Sequence, residues 1–187
     1  MAEPISVREA NALDHDGFVA RFGTLFEGSP WIAERAWHDR PFDGPTDLFE
    51  ALRAAMYDAP AERKLDLIRA HPDLAGKAAV EGSLTPESAQ EQSSAGLDRL
   101  SPQEYELFNR LNDSYREKFG FPLVVCVREH TKESILAEAE ARLEHSRSEE
   151  IEISLGEISR IAYLRLQDLV EETRTPQETP LNEGDKT

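Results

Sequence analysis

The sequence predicts an all-α fold: a helical bundle of about eight helices with one extended buried segment. Two observations carry this. Apolar residues recur at three- and four-residue spacing almost throughout the chain. Only Phe121-Pro122-Leu123-Val124-Val125-Cys126-Val127 has strand character, and no second strand of that quality exists to pair with it.

The elements follow in order. Phe18, Phe22 and Phe26 recur every fourth position and predict an opening helix that ends near Gly28-Ser29. Pro30-Trp31-Ile32-Ala33 starts a short second helix, with Trp31 and Trp37 as core anchors. Arg40 to Pro45 reads as a loop from its Pro and Gly content. A third helix is expected over Thr46 to Asp58, capped by Thr46 and burying Phe49, Leu52 and Met56. A fourth runs from Pro60 to Ala70 with Leu65 and Ile68 inside. Thr85-Pro86-Glu87 has threonine as N-cap and proline at N1, so a helix begins there and Gly96 stops it. Ser101-Pro102-Gln103-Glu104 is a capping box, opening a helix with Tyr105, Phe108, Leu111, Tyr115 and Phe119 as its apolar stripe. Two more are expected, Thr131 to Ser146 and Ser154 to Val170. Residues 1–171 are expected to form a single helical domain, and 172–187, charged and nearly free of apolar side chains, a flexible acidic tail.

Composition narrows the chemistry. With 37 acidic and 21 basic residues the formal charge is −16, a field that repels phosphate backbones and anionic lipid, so neither nucleic acid nor a membrane is an expected partner. No apolar window approaches the length of a membrane span, and the first ten residues lack a signal peptide's apolar run. Cys126 is the single cysteine, which excludes an internal disulfide framework and suits a reducing, cytoplasmic setting. The five histidines, at 15, 38, 71, 130 and 145, form no i,i+2 or i,i+4 pair, and neither CxxC nor a nucleotide-binding glycine loop occurs. No metal is expected, and cofactor-free acid/base chemistry remains.

Three groups could supply it. His71 ends the fourth helix, because Pro72 disfavours α geometry at the residue before it. It continues the apolar face of Leu67 and Ile68, and the helix C-terminus favours its protonated ring. Such a ring is a candidate proton handler, though by itself a histidine so placed is more often a satisfied core residue. Ser88, Glu91 and Gln92 share one helix face by spacing alone, which is also the pattern of a solvated surface. Arg165 sits within the stripe Ile158, Ile161, Ala162, Leu166, Leu169 and Val170, flanked by Ile161 and Leu169 four positions either side. A guanidinium keeps its charge when buried, so Arg165 needs a carboxylate partner or an anionic substrate. The Phe121–Val127 segment offers extended backbone that could hydrogen-bond a ureido or amide ligand, with Cys126 as a small buried hydrophobe.

His71-Pro72-Asp73-Leu74-Ala75-Gly76-Lys77, Ser88-Ala89-Gln90-Glu91-Gln92 leading to Ala95-Gly96-Leu97, and Phe108-Asn109 through Tyr115-Arg116-Glu117-Lys118-Phe119-Gly120-Phe121-Pro122 together resemble the OHCU decarboxylases. That family decarboxylates 2-oxo-4-hydroxy-4-carboxy-5-ureidoimidazoline to (S)-allantoin in urate catabolism. The resemblance covers roughly residues 10 to 171. It implies an all-α, cofactor-free homodimer. It places the catalytic histidine at His71, the catalytic glutamate at Glu91 and the substrate-binding arginine at Arg165. It also implies substrate contacts at Pro72, Ser88, Ala89, Gln90, Glu91 and Gln92, and at the backbone of Leu123, Val124, Val125, Cys126 and Val127. The sequence alone leaves open a non-catalytic ureide-binding or pathway-partner module, and a lyase or hydrolase acting on a related ureide.

Overall fold

The computed structural model describes residues 3–76 and 82–171, so Lys77 and the expected acidic tail lie outside the described residues. Among the described residues the chain is helical, and its only β pairing is an isolated parallel bridge between Ile5 and Val170. That bridge ties the two ends together: Ile5 N–H donates to the Leu169 carbonyl at 3.0 Å, and Glu171 N–H to the Ile5 carbonyl at 2.9 Å.

Nine α-helices are described: α1 (Val7–Ala12), α2 (His15–Phe22), α3 (Trp31–Ala36), α4 (Pro45–Tyr57), α5 (Ala61–Ala70), α6 (Pro86–Ser94), α7 (Pro102–Phe119), α8 (Lys132–Arg142) and α9 (Arg147–Leu169). The start signals act as anticipated at α6 and α7. Thr85 accepts from Ser88 N–H with Pro86 at N1, and Ser101 and Glu104 form a reciprocal capping box. Helix α9 is the spine. It packs against α4, α5 and α7, and its buried stripe includes Leu155, Ile158, Ile161, Ala162 and Leu166.

Several expectations are corrected. The opening helix is two helices, α1 and α2, and stops at Phe22. Gly23–Leu25 then makes a 3-10 turn and Phe26 is extended, so the aromatic spacing survives a change of backbone geometry. Helix α4 starts at Pro45 after Gly44 rather than at a Thr46 cap, and it buries Leu48 in preference to Phe49. Leu65 is only partly buried, whereas Leu67 and Ile68 are fully buried. Trp31 and Trp37 are half-buried lids on the core, covered by the guanidinium groups of Arg63 and Arg40. Helix α8 ends at Arg142. Helix α9 begins at Arg147, a full two turns before the expected Ser154, under a Ser146–Glu149 capping box.

That early start brings Glu150 into the core, where it is fully enclosed. Arg142 meets it at 2.9 Å and His145 at 2.7 Å, and the Tyr115 hydroxyl donates to the same carboxylate. Arg142 Nη1 also donates to the Val124 carbonyl at 2.9 Å and so connects this cluster to the extended segment. Breaking a buried ion pair by removing one partner strands the other charge. Arg142→Leu is therefore expected to cost roughly 3–5 kcal/mol in urea unfolding, and the double variant with Glu150→Leu much less. Equal losses in both would contradict this account.

Candidate active site

The loop after α5 is pinned from two sides. Ala75 adopts a left-handed φ of 51°, and a Cβ at Gly76 would lie 2.7 Å from that of Asp73, so glycine is required there. Gln92 of α6 accepts from Ala75 N–H at 3.0 Å, and Asn112 of α7 donates to the Leu74 carbonyl at 2.9 Å. Arg116 adds a two-oxygen contact to Asp73 at 2.9 and 3.1 Å. A histidine at the head of such a loop is held rigidly.

His71 is the C-cap of α5, with extended backbone (φ −71°, ψ 138°). Its Nδ1 lies 2.9 Å from the Leu67 carbonyl oxygen, which can only accept, so Nδ1 carries the proton. Nε2 has no hydrogen-bond partner among the described residues and is left as a bare acceptor. Burial pushes the ring pKa down to about 4, against upward pulls from the Leu67 carbonyl and Glu27, with Arg165 adding to the fall. The dipole at the α5 C-terminus favours the opposite direction. Desolvation of an imidazolium outweighs a half-charge dipole, and the ring is neutral.

Arg165 projects from α9 and has 6% of its side chain exposed. Nε and Nη2 each donate to one Glu91 oxygen at 2.8 Å, a bidentate fork. Nη2 also reaches Ser88 Oγ at 3.3 Å, and Nη1 the Thr24 carbonyl at 3.2 Å and Glu27 Oε2 at 3.5 Å. Burial alone would lower the guanidinium pKa, but the bonds to Glu91 and Glu27 more than offset it, so the net shift is upward.

Glu27 was not singled out by sequence reasoning. It is 8% exposed and accepts from Ser88 Oγ at 3.0 Å. Its one sequence signal is a carboxylate placed directly after the apolar run Leu25-Phe26.

His71, Ser88, Glu91 and Arg165 line a pocket together with Pro72, Leu74, Gln92, Leu123, Val124, Val125, Val127 and Ile161. The space is small, about 30 Å³. Beyond the Glu91–Arg165 pair lies a larger cavity of about 620 Å³, which those two residues also line. The pair is thus common to the lining of both spaces.

Not every candidate faces inward. Ala89 and Gln90 lie on the exposed side of α6, as helical spacing demands once Ser88, Glu91 and Gln92 turn in. Gln92 spends its amide on the loop, donating to the Asp73 carbonyl at 3.4 Å as well. Cys126 is buried with its thiol pKa pushed up to about 12 by desolvation first and by nearby carboxylates, which makes it inert. Among the described residues no three His, Cys, Asp or Glu side chains converge as a metal site.

Comparison with known proteins identifies the family. The family model described as OHCU decarboxylase matches residues 11–167. A Haloferax volcanii protein named 2-oxo-4-hydroxy-4-carboxy-5-ureidoimidazoline decarboxylase is 44% identical over 88% of this chain and 95% of its own length. The Xenopus laevis protein of the same name is 36% identical over 89% and 95%. The uric acid degradation bifunctional protein of Bacillus subtilis is 40% identical over 88% of this chain and 32% of its own. Among solved structures, an (S)-allantoin synthase superposes with a TM-score of 0.71 at 26% identity, covering 89% of this chain and 54% of that one. The chain belongs to the OHCU decarboxylase family.

Proposed function

We propose that this chain decarboxylates 2-oxo-4-hydroxy-4-carboxy-5-ureidoimidazoline to (S)-allantoin in urate degradation, using His71, Glu91 and Arg165 and no cofactor. The observation that carries the reading is a neutral histidine whose free Nε2 shares a buried pocket with a fixed carboxylate–guanidinium pair.

The chemistry follows from the substrate. When the bond to the carboxylate breaks, its electron pair passes to the adjacent C=N of the ring, which serves as the sink. CO₂ leaves, and one proton drawn from solvent replaces it. His71 Nε2 takes the proton of the ring hydroxyl, whose oxygen becomes the product carbonyl, and returns a proton to the carbon that bears the ureido group. Delivery from one face yields one enantiomer. A base with a pKa of about 4 is unprotonated throughout the neutral range, so no activation step precedes transfer.

All five N–H donors of Arg165 are already committed to protein oxygens, which changes its expected part. It first fixes Glu91 and Ser88, and it meets a substrate oxygen as the Glu91 fork yields. Glu91 then orients the ring and polarises the ureido-imine side. The amide-rich substrate also suits the main chain of Leu123 and Val125, which line the pocket and make no hydrogen bond among the described residues. Within this frame Pro72 and Val127 supply shape, and Gln92 supports through the loop it holds.

A homodimer in the cytoplasm completes the reading. It rests on the family resemblance and, for the compartment, on the buried free thiol of Cys126. Light scattering after size exclusion is expected to give twice the chain mass of 21.1 kDa; a monomer across micromolar concentrations would refute the dimer.

Three outcomes test the catalytic assignment. His71→Asn should slow decarboxylation of freshly generated substrate by ~10²–10⁴-fold, read as (S)-allantoin appearance by circular dichroism. Near-normal turnover would remove His71 from the chemistry. Arg165→Met should raise KM by about 10- to 100-fold, the equivalent of one charge-assisted hydrogen bond. Unchanged KM and kcat would make it a structural ion-pair partner. A histidine depressed from 6.5 to about 4 costs stability as pH falls through that window, because the unfolded ring binds the proton first. The wild type should therefore lose stability relative to His71→Asn between about pH 6.5 and 4, and a pH-independent difference would contradict a neutral buried ring.

A further inference from the structure

The extended segment poses an accounting problem. It is buried among helices without a neighbouring strand, so its main-chain groups need other partners. The Cys126 and Val127 carbonyls accept from Glu129 and His130 N–H at 3.0 and 3.2 Å. Two side chains supply two further partners. Arg142 Nη1 donates to the Val124 carbonyl at 2.9 Å, and Cys126 N–H donates to Glu157 Oε2 at 2.6 Å.

Glu157 lies on α9 four residues before Ile161 and eight before Arg165, so the three share one helix face. Ile161 and Arg165 line the pocket and Glu157 does not, yet its carboxylate ties the pocket's backbone wall to that same face. The bond is short and charge-assisted, the strong kind. It sits one residue from Val125 on one side and from Val127 on the other, both of them lining residues.

We propose that Glu157 is a positioning residue for substrate binding: through the Cys126 amide it sets the distance between the Leu123–Val127 main chain and Arg165. The substrate is then gripped between two walls built on one helix. This inference rests on the decarboxylase reading above. Arg142 plays the matching part at Val124 but also neutralises Glu150, so Glu157, which is partly exposed, is the cleaner probe.

Steady-state kinetics on freshly generated substrate test it, together with amide exchange of Cys126 by NMR. Glu157→Ala should raise KM about 10-fold, with kcat changed much less, and speed Cys126 exchange. Glu157→Gln, whose amide oxygen still accepts from Cys126, should restore KM. Glu157→Asp, one methylene too short, should fall between, and it decides the matter if the alanine variant fails to fold. A wild-type KM in a folded Glu157→Ala or Glu157→Asp enzyme with accelerated Cys126 exchange overturns the proposal. So does a KM rise that Glu157→Gln leaves unrepaired. Wild-type protein that fails to turn the substrate over would instead count against the decarboxylase reading.

Discussion

A buried guanidinium cannot shed its charge, and Arg165 organises its surroundings for that reason. It must find acceptors for its donors, and it finds them on two separate parts of the chain outside its own helix. Glu91 and Ser88 come from α6, Glu27 and the Thr24 carbonyl from the stretch that follows α2, and α9 supplies the arginine itself. Each of these groups would be costly alone in the interior and is satisfied only in company. The position of α6 against α9 is therefore set by charge as much as by apolar packing, and the pocket is what lies beside the joint.

The histidine is governed by the opposite logic. Its loop is held by amide bonds from Gln92 and Asn112 and by the Arg116–Asp73 pair, and its ring by a main-chain carbonyl, so no carboxylate hydrogen-bonds the ring among the described residues. Burial then wins, and the ring stays neutral with one nitrogen free. A permanent cation and a neutral base share one pocket: Arg165 is paired with Glu91 and Glu27, and the part of its field that reaches the ring lowers the histidine pKa further.

What could be read from the sequence was what local chemistry determines. Helix starts at Thr85 and Ser101 are written in their caps, and Arg165 stood out because a charge in an apolar stripe has few explanations. His71 was legible as a helix end because Pro72 follows it. The protonation of that ring was not, since the dipole is a local property and desolvation depends on everything that packs around the loop. Glu27 was hidden for a related reason: the change from helix to 3-10 turn at Gly23 aims it inward, and periodicity carried through that turn gives the wrong face. Glu150 was missed because α9 begins two turns earlier than its apolar stripe suggests. The roles of Glu91 and of the Leu123–Val127 backbone came from family resemblance, and the ion pair with Arg165 supplies a physical reason why Glu91 is held where it is.

The central claim is that a neutral His71 delivers a proton to one face of a ring held by the Glu91–Arg165 pair. Turnover of freshly generated substrate in D₂O measures that delivery directly, with the product read by circular dichroism and NMR before it racemises. The account predicts (S)-allantoin deuterated at the new stereocentre and formed far faster than the spontaneous reaction. Racemic allantoin appearing at the spontaneous rate would contradict it.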